Sequence, residues 1–140
     1  HYTFFAPDEL VLVTRTGGRY ARTESLTCEQ LLSTPLVLRE NGSGTLEVIS
    51  AALAAKGIRL SQLDVVIRLG TTEGIKGFVR NSDVLAIVSV TSVVDELRSG
   101  ALRIIDIEGL TLSRDFNFVH AEAEPARLVR QFVDFARANR

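Results

Sequence analysis

Residues 35–57, PLVLRENGSGTLEVISAALAAKG, decide how the rest of the chain is read. Pro35 starts a short apolar strand of Leu36, Val37 and Leu38, which enters a glycine-punctuated turn at residues 39–45. The turn opens directly into an amphipathic helix. Its inward residues Leu46, Ile49 and Leu53 recur at helical spacing, with Ala52 and Ala55 on the flank. Glu47 in the first turn and Lys56 in the last complement the helix dipole, and Gly57 supplies a left-handed stop. A strand that ends at a helix start presents backbone N–H groups and a positive dipole end to whatever lies beyond it.

The same arrangement recurs twice. Residues 64–69, DVVIRL, form a β-branched strand ended by Gly70. Thr71 and Thr72 are placed to cap a helix with Glu73 early and Ile75, Phe78 and Val79 on one face. Gly74 and Gly77 each cost that helix about 1 kcal/mol relative to Ala. They fit either close packing against a neighbour or ligand, or a helix that is simply weak. Residues 84–88 give the next strand, and Ser89, Thr91 or Ser92 caps the helix after it. Val93, Val94 and Leu97 face inward there, with Gly100 as the stop.

The flanking chain continues the alternation. Residues 2–5 are extended and aromatic, and residues 9–14, ELVLVT, are an apolar strand between Pro7-Asp8 and Gly17-Gly18. A polar loop follows at residues 16–24. Residues 26–32 predict a short helix with Thr27 as N-cap and Gln30 at the capping-box position. Residues 102–107 and 115–119 read as strands on either side of a turn at Gly109. The last helix has Pro125 in its first turn and a broad stripe of Leu128, Phe132, Phe135 and Ala136, with Val129 and Val133. Arg127, Arg130, Asp134 and Arg137 cover its other face, read as solvated rather than as a phosphate-binding surface. Strand and helix alternating in this way predict an α/β fold with a mostly parallel sheet and right-handed crossovers.

Composition bounds the function. The chain has 140 residues, enough for one domain, with 46% apolar and 24% charged residues. A net charge of −1 supplies no basic field for nucleic acid. One cysteine, Cys28, and two histidines, His1 and His120, exclude an internal disulfide and a multi-cysteine zinc site. Cys28 reads as structural, because a nucleophilic thiol needs a base and an orienting group. No run approaches the ~18 apolar residues of a membrane span, and the start lacks signal-peptide regions, so the expected compartment is the cytoplasm. The chain contains no methionine and begins in mid-pattern, which is expected of a fragment.

In an open α/β sheet, ligands bind beyond the carboxyl ends of the strands. Three turns meet that description, at residues 39–45, 70–73 and 89–92, and all offer hydroxyls and helix N-terminal amides. None holds a histidine, a paired carboxylate or a reactive cysteine. Glu40 and Glu73 lie nearby, but the helix dipole already accounts for Glu73. The inventory favours binding a polar or anionic small molecule over transforming one, with no metal and no cofactor. Residues 41–45, NGSGT, lack the lysine of G-x-x-x-x-G-K-[ST] and do not form G-x-G-x-x-G. A weak anion cradle and a plain tight turn capped by Ser43 or Thr45 both remain open.

Five segments in order resemble the effector-binding domain of LysR-type transcriptional regulators: FAPDELVLV (5–13), LLSTPLVLRENGSGT (31–45), LGTTEGIKGFV (69–79), VTSVVDELRSGALRIIDIEG (90–109) and SRDFNFVHAEAEPARLVRQFVDFA (113–136). The resemblance implies a Rossmann-like lobe of a type 2 periplasmic-binding-protein-like domain, with helices on both faces of the sheet. Residues 15–112 would be the second lobe, and residues 1–14 and 113–140 the hinge strands and remainder of the first. The hinge strands near 10–14 and 115–119 would run antiparallel side by side. It also implies a non-enzymatic sensor in which an effector between the lobes alters an oligomer's grip on promoter DNA. The DNA contact would come from a winged helix-turn-helix absent from this chain. Carried over by position, the cleft residues are Asn41, Ser43, Gly44 and Thr45, then Thr71 and Thr72, then Ser89 and Thr91. One departure stands out: the family's V-x-x-G-x-G appears here as Val79-Arg80-Asn81-Ser82-Asp83-Val84, with Asn81 placed to take over the left-handed stop. A solute-binding lobe, an enzyme domain of the same fold, and a flavodoxin-like module are the alternatives.

Overall fold

The computed structural model describes residues 1–121 and 123–140; Glu122, inside the last matching segment, lies outside the described residues. The elements in chain order are β1 (Tyr2–Arg15), β2 (Ser25–Leu26), α1 (Cys28–Leu32), β3 (Leu36–Arg39), α2 (Gly44–Ala54), β4 (Val65–Leu69), α3 (Thr72–Arg80), β5 (Leu85–Ser89), α4 (Val94–Ser99), β6 (Leu102–Ile107), β7 (Leu112–Val119) and α5 (Arg127–Ala138). Single 3-10 turns lie at Leu60–Gln62 and Val90–Val93. The chain divides into two compact units, Glu9–Leu112 and His1–Asp8 with Ser113–Arg140.

In the larger unit the strands lie in the order β2-β6-β1-β5-β3-β4. β3 is parallel to β4 and β5, and β2 is parallel to β6, while β1 is antiparallel to both β5 and β6. The sheet is therefore five strands of one direction with β1 reversed among them. Alternate residues serve opposite faces, as strand geometry requires. Leu10 and Leu12 of β1, Leu36 and Leu38 of β3, and Leu85 and Ile87 of β5 join Leu46, Ile49 and Leu53 of α2 in one buried cluster. Val11 and Val13, Val37, and Ala86 and Val88 join Ile75 and Val79 of α3 in the other. Helices thus cover both faces, and the inner strands read as unbroken apolar runs because both sides are buried.

The smaller unit is built on the pairing of β7 with β1. His1 and His120 exchange two backbone hydrogen bonds, 3.0 and 3.1 Å, the pattern of a closely bonded antiparallel pair. Phe118 stands edge-on to Phe5 at 5.0 Å and to Phe132 of α5 at 6.1 Å. Arg114 Nε donates to the buried carboxylate of Asp8 at 2.8 Å. No residue of α5 is buried.

Several boundaries differ from the sequence reading. Pro7 does not end the first extended run; residues 2–15 are one strand, because a proline φ near −65° is compatible with extended backbone. Leu26 lies in β2, although the Thr27–Gln30 capping box forms as expected. β7 starts at Leu112, three residues before the expected Asp115. Pro125 precedes the N-cap Ala126 and so stands outside α5. Lys56 lies past the end of α2, whereas Gly57 and Gly100 both adopt the left-handed conformation, φ 75°, expected of helix stops. Val94 is exposed rather than inward.

Candidate functional site

Because β3, β4 and β5 are parallel, their carboxyl ends share one edge of the sheet. Arg39 stands opposite Leu69, and Val37 opposite Ala86, which puts Arg39 level with Val88 when that register is continued. The turns after the three strands therefore gather at the same edge, where ligands bind in open α/β sheets.

The first turn leaves β3 through Glu40 and the exposed Asn41, and Gly42 takes φ 88°, a left-handed conformation that favours glycine. Ser43 is the N-cap of α2 and is buried, yet its side chain makes no capping hydrogen bond. A Cβ on Gly44 would meet nothing within 4 Å, so that side of the helix start is open space. Thr45 is half-buried one residue further on. Arg39 grips Glu40 through Nε–Oε2 at 3.0 Å and Nη2–Oε1 at 3.1 Å, and Arg68 Nη1 donates to the Arg39 carbonyl at 3.3 Å. The Arg39 hydrogen bond holds the Glu40 carboxyl below its usual range. The acid nearest the turn is thus already neutralised by a guanidinium, which lowers its repulsion of an anion.

The second turn differs in chemistry. Thr71 Oγ1 accepts from Gly74 N at 3.0 Å, a formed cap at the start of α3. A Cβ on Gly74 would come 2.9 Å from that same hydroxyl, while one on Gly77 would meet nothing within 4 Å. Gly74 thus sits tight against its own cap, whereas a side chain at Gly77 would enter open space. Thr72 is half-buried at the first helical position.

In the third turn Ser89 and Thr91 share a hydrogen bond of 2.8 Å between their hydroxyls, and Ser92 Oγ donates to the Ser89 carbonyl at 2.6 Å. None of these side chains caps α4 itself, because the Val90–Val93 turn intervenes and makes Val93 the N-cap. Ser89 and Thr91 are brought together directly, and all the predicted residues lie along the shared sheet edge.

Two features escaped the sequence reading. Arg39 and Arg68 flank the first turn, signalled only by charged residues at strand ends. Lys76, in the interior of α3, is buried and bonded to Ser92 O at 2.9 Å, Glu73 Oε1 at 2.8 Å and Glu96 Oε1 at 2.8 Å. At the departure from the family pattern, Asn81 is not left-handed (φ −111°). Asn81 Nδ2 instead donates to Gly77 O at 2.7 Å and Ser82 Oγ to Phe78 O at 2.6 Å, so side chains satisfy the last-turn carbonyls of α3. Val84 is buried in the α3-side cluster, a packing role.

Cys28 is half-buried, with Sγ 3.8 Å from the Glu108 carbonyl. Among the described residues there is no group of three or more His, Cys, Asp or Glu placed to hold a metal ion. Among them too, no helix is long and apolar enough to cross a membrane.

Over residues 1–140 the chain matches the family model described as LysR substrate binding domain. It is 35% identical over 138 residues to the phosphonates import ATP-binding protein PhnC of Anaeromyxobacter dehalogenans, covering 98% of this chain and 28% of that protein. The chain has no G-x-x-x-x-G-K-[ST] sequence, so the shared segment carries no such phosphate loop. It is 30% identical over 129 residues to the uncharacterized HTH-type transcriptional regulator YeiE of Escherichia coli, covering 91% and 43%. The chain thus spans less than half the length of these curated relatives. The regulatory domain of Synechocystis CcmR, solved in complex with 2-PG, superposes with a TM-score of 0.84 at 21% identity, covering 99% of this chain and 66% of that one. The fold is the type 2 periplasmic-binding-like one that the family resemblance implies. With the family model matched from end to end, this chain belongs to the LysR substrate-binding domain family.

Proposed function

We propose that this chain is the effector-sensing part of a bacterial LysR-type DNA-binding regulator, and that it binds a small anionic metabolite at the edge formed by the turns after β3, β4 and β5. Asn41, Ser43, Gly44, Thr45, Thr71, Thr72, Ser89 and Thr91 would line that site. The observation that carries the reading is the start of α2. A buried Ser43 leaves the helix without a side-chain cap, and open space adjoins Gly44. Such a helix start favours negative charge through its amides and dipole. The paired state of Glu40 supports the same sign preference. The carboxylates of these turns are engaged, Glu40 with Arg39 and Glu73 with Lys76, and on this reading the role is binding without catalysis.

Residues 15–112 would form the second lobe, and residues 1–14 with 113–140 the hinge strands and part of the first. The whole protein would act as a cytoplasmic homo-oligomer whose promoter contacts come from a winged helix-turn-helix outside this chain. The test is a thermal-shift screen of the full-length protein against small carboxylates, 2-PG and simple phosphonates, followed by calorimetry on the hits. Saturable stabilisation by one of these anions is expected. Stabilisation by neutral sugars or amines alone would overturn the anion preference.

A further inference from the structure

The ammonium group of Lys76 is a buried cation on a helix that otherwise presents apolar residues to the sheet. Its donors have three acceptors within 2.9 Å, from three places in the chain: Glu73 one turn back on α3, the Ser92 carbonyl in the turn after β5, and Glu96 on α4. An ammonium has three protons, so each has a partner. Glu73 is exposed at its side chain, 78%, whereas Glu96 is 12% exposed, so the Ser92 and Glu96 contacts are the shielded ones. Glu96 Oε2 is buried and, among the described residues, is a side-chain oxygen with no hydrogen-bond partner. A buried ion pair with an unsatisfied oxygen is weak as a stabilising device, since desolvation offsets most of its attraction. What it does supply is a fixed geometry. Lys76 lies one turn after Thr72 on α3, and Ser92 directly follows Thr91.

We propose that Lys76 is a positioning residue of the binding site: it fastens α3 to the turn after β5 and so sets the spacing between the Thr71 and Thr72 hydroxyls and the linked pair of Ser89 and Thr91. The tether stands on its own contacts; its consequence for ligand affinity rests on the anion-binding reading above.

The test uses the full-length protein in three forms: unaltered, Glu73→Gln, and the double variant Lys76→Met with Glu96→Leu. The double variant leaves no unpaired charge buried, so it is expected to fold. Amide hydrogen exchange is read at residues 89–93 and, as an internal reference, at 85–88 of the sheet. Affinity for inorganic phosphate, the simplest oxyanion, is read alongside. In the double variant, exchange at 89–93 is expected to rise at least tenfold with the sheet unchanged, and phosphate affinity to fall at least tenfold. Glu73→Gln should change neither. Unchanged exchange at 89–93 in the double variant overturns the tether. Raised exchange with unaltered phosphate affinity overturns its role at the site. If the unaltered protein fails to bind phosphate while exchange still rises, the tether holds and the anion-binding reading is the one that fails.

Discussion

Asp83 Oδ1 accepts hydrogen bonds from Arg15 at Nε, 3.0 Å, and Nη2, 2.8 Å, and from the Arg19 backbone N–H at 2.9 Å. One oxygen thereby links the end of β1, the loop after it and the approach to β5. Gly18 makes room for it, since a Cβ there would come 2.6 Å from both Arg15 Nε and Asp83 Oδ1.

Gly18→Ala is therefore expected to push the carboxylate and guanidinium apart and lower the melting temperature by a few degrees. The Arg19 amide, then Arg15, holds the Asp83 carboxyl below its ordinary 3.8. A depressed carboxyl contributes stability that is present above 3.8 and lost as pH falls through its folded value. Asp83→Asn should remove that part of the acid limb and leave stability above pH 5 with only a small loss, because the pair is exposed. A thermal melt at pH 7 reads the first and urea denaturation at pH 3 to 7 the second; an unchanged melting temperature, or an acid limb identical to the unaltered protein's, would contradict the assignment.

Thr71 and Ser43 occupy equivalent cap positions with opposite chemistry, and their substitutions should separate. Thr71→Ala removes a formed cap and is expected to cost about 1 kcal/mol. Ser43→Ala removes no capping bond and should leave stability within about 0.5 kcal/mol. On the proposed reading of the full-length protein as an effector-responsive DNA-binding regulator, Ser43→Ala and Thr72→Val should weaken the effector response with DNA affinity intact. Unchanged titrations for both would take those residues out of the site.

The elements that position the site were legible where local chemistry sets them. Leu46, Ile49 and Leu53 announce the buried face of α2 by spacing alone, and Thr27 with Gln30 announces a capping box that forms. Gly57 and Gly100 mark stops because only glycine takes φ 75° at little cost. What strand pattern does not encode is direction. Nothing in ELVLVT distinguishes a strand parallel to its neighbours from the reversed β1 that lies between β5 and β6. The burial of Lys76 is not legible in the sequence for a related reason. Its sequence neighbours offer an ordinary surface pair with Glu73, and only the fold brings Glu96 and the Ser92 carbonyl to bury it. Asn81 failed as a left-handed stop because its side chain reaches the Gly77 carbonyl from an ordinary backbone conformation.

Leu128, Phe132 and Phe135 of α5 are 77%, 61% and 67% exposed and lie on one helical stripe. Expressed as residues 1–140 alone, the chain is expected to bury that stripe by self-association, since a monomer rarely leaves such a face to water. Phe132→Glu with Phe135→Glu should restore a monomer. Light scattering across a hundredfold concentration range decides it, and a concentration-independent monomer of the unaltered chain would rule the association out.

The Lys76–Glu96 pair should appear in the pH dependence of stability at both ends. Hydrogen bonding from Lys76 holds the Glu96 carboxyl below its ordinary 4.5, with Arg80 adding a weaker positive field. That contribution is present above 4.5 and disappears as pH falls through the depressed value. Hydrogen bonds to Glu73 and then Glu96 raise Lys76 above 10.5, so its contribution is present below 10.5 and is lost as pH rises through the raised value. Between about pH 5 and 10 both groups stay charged and the tether keeps its geometry. Removing one partner alone, as in Lys76→Met, leaves Glu96 shielded and unpaired and is expected to cost about 3 kcal/mol at pH 7. That loss should shrink toward pH 3, where the carboxyl is protonated and its burial is no longer penalised. A loss that is constant from pH 7 to pH 3 would mean that Lys76 contributes through packing of its stem rather than through its charge.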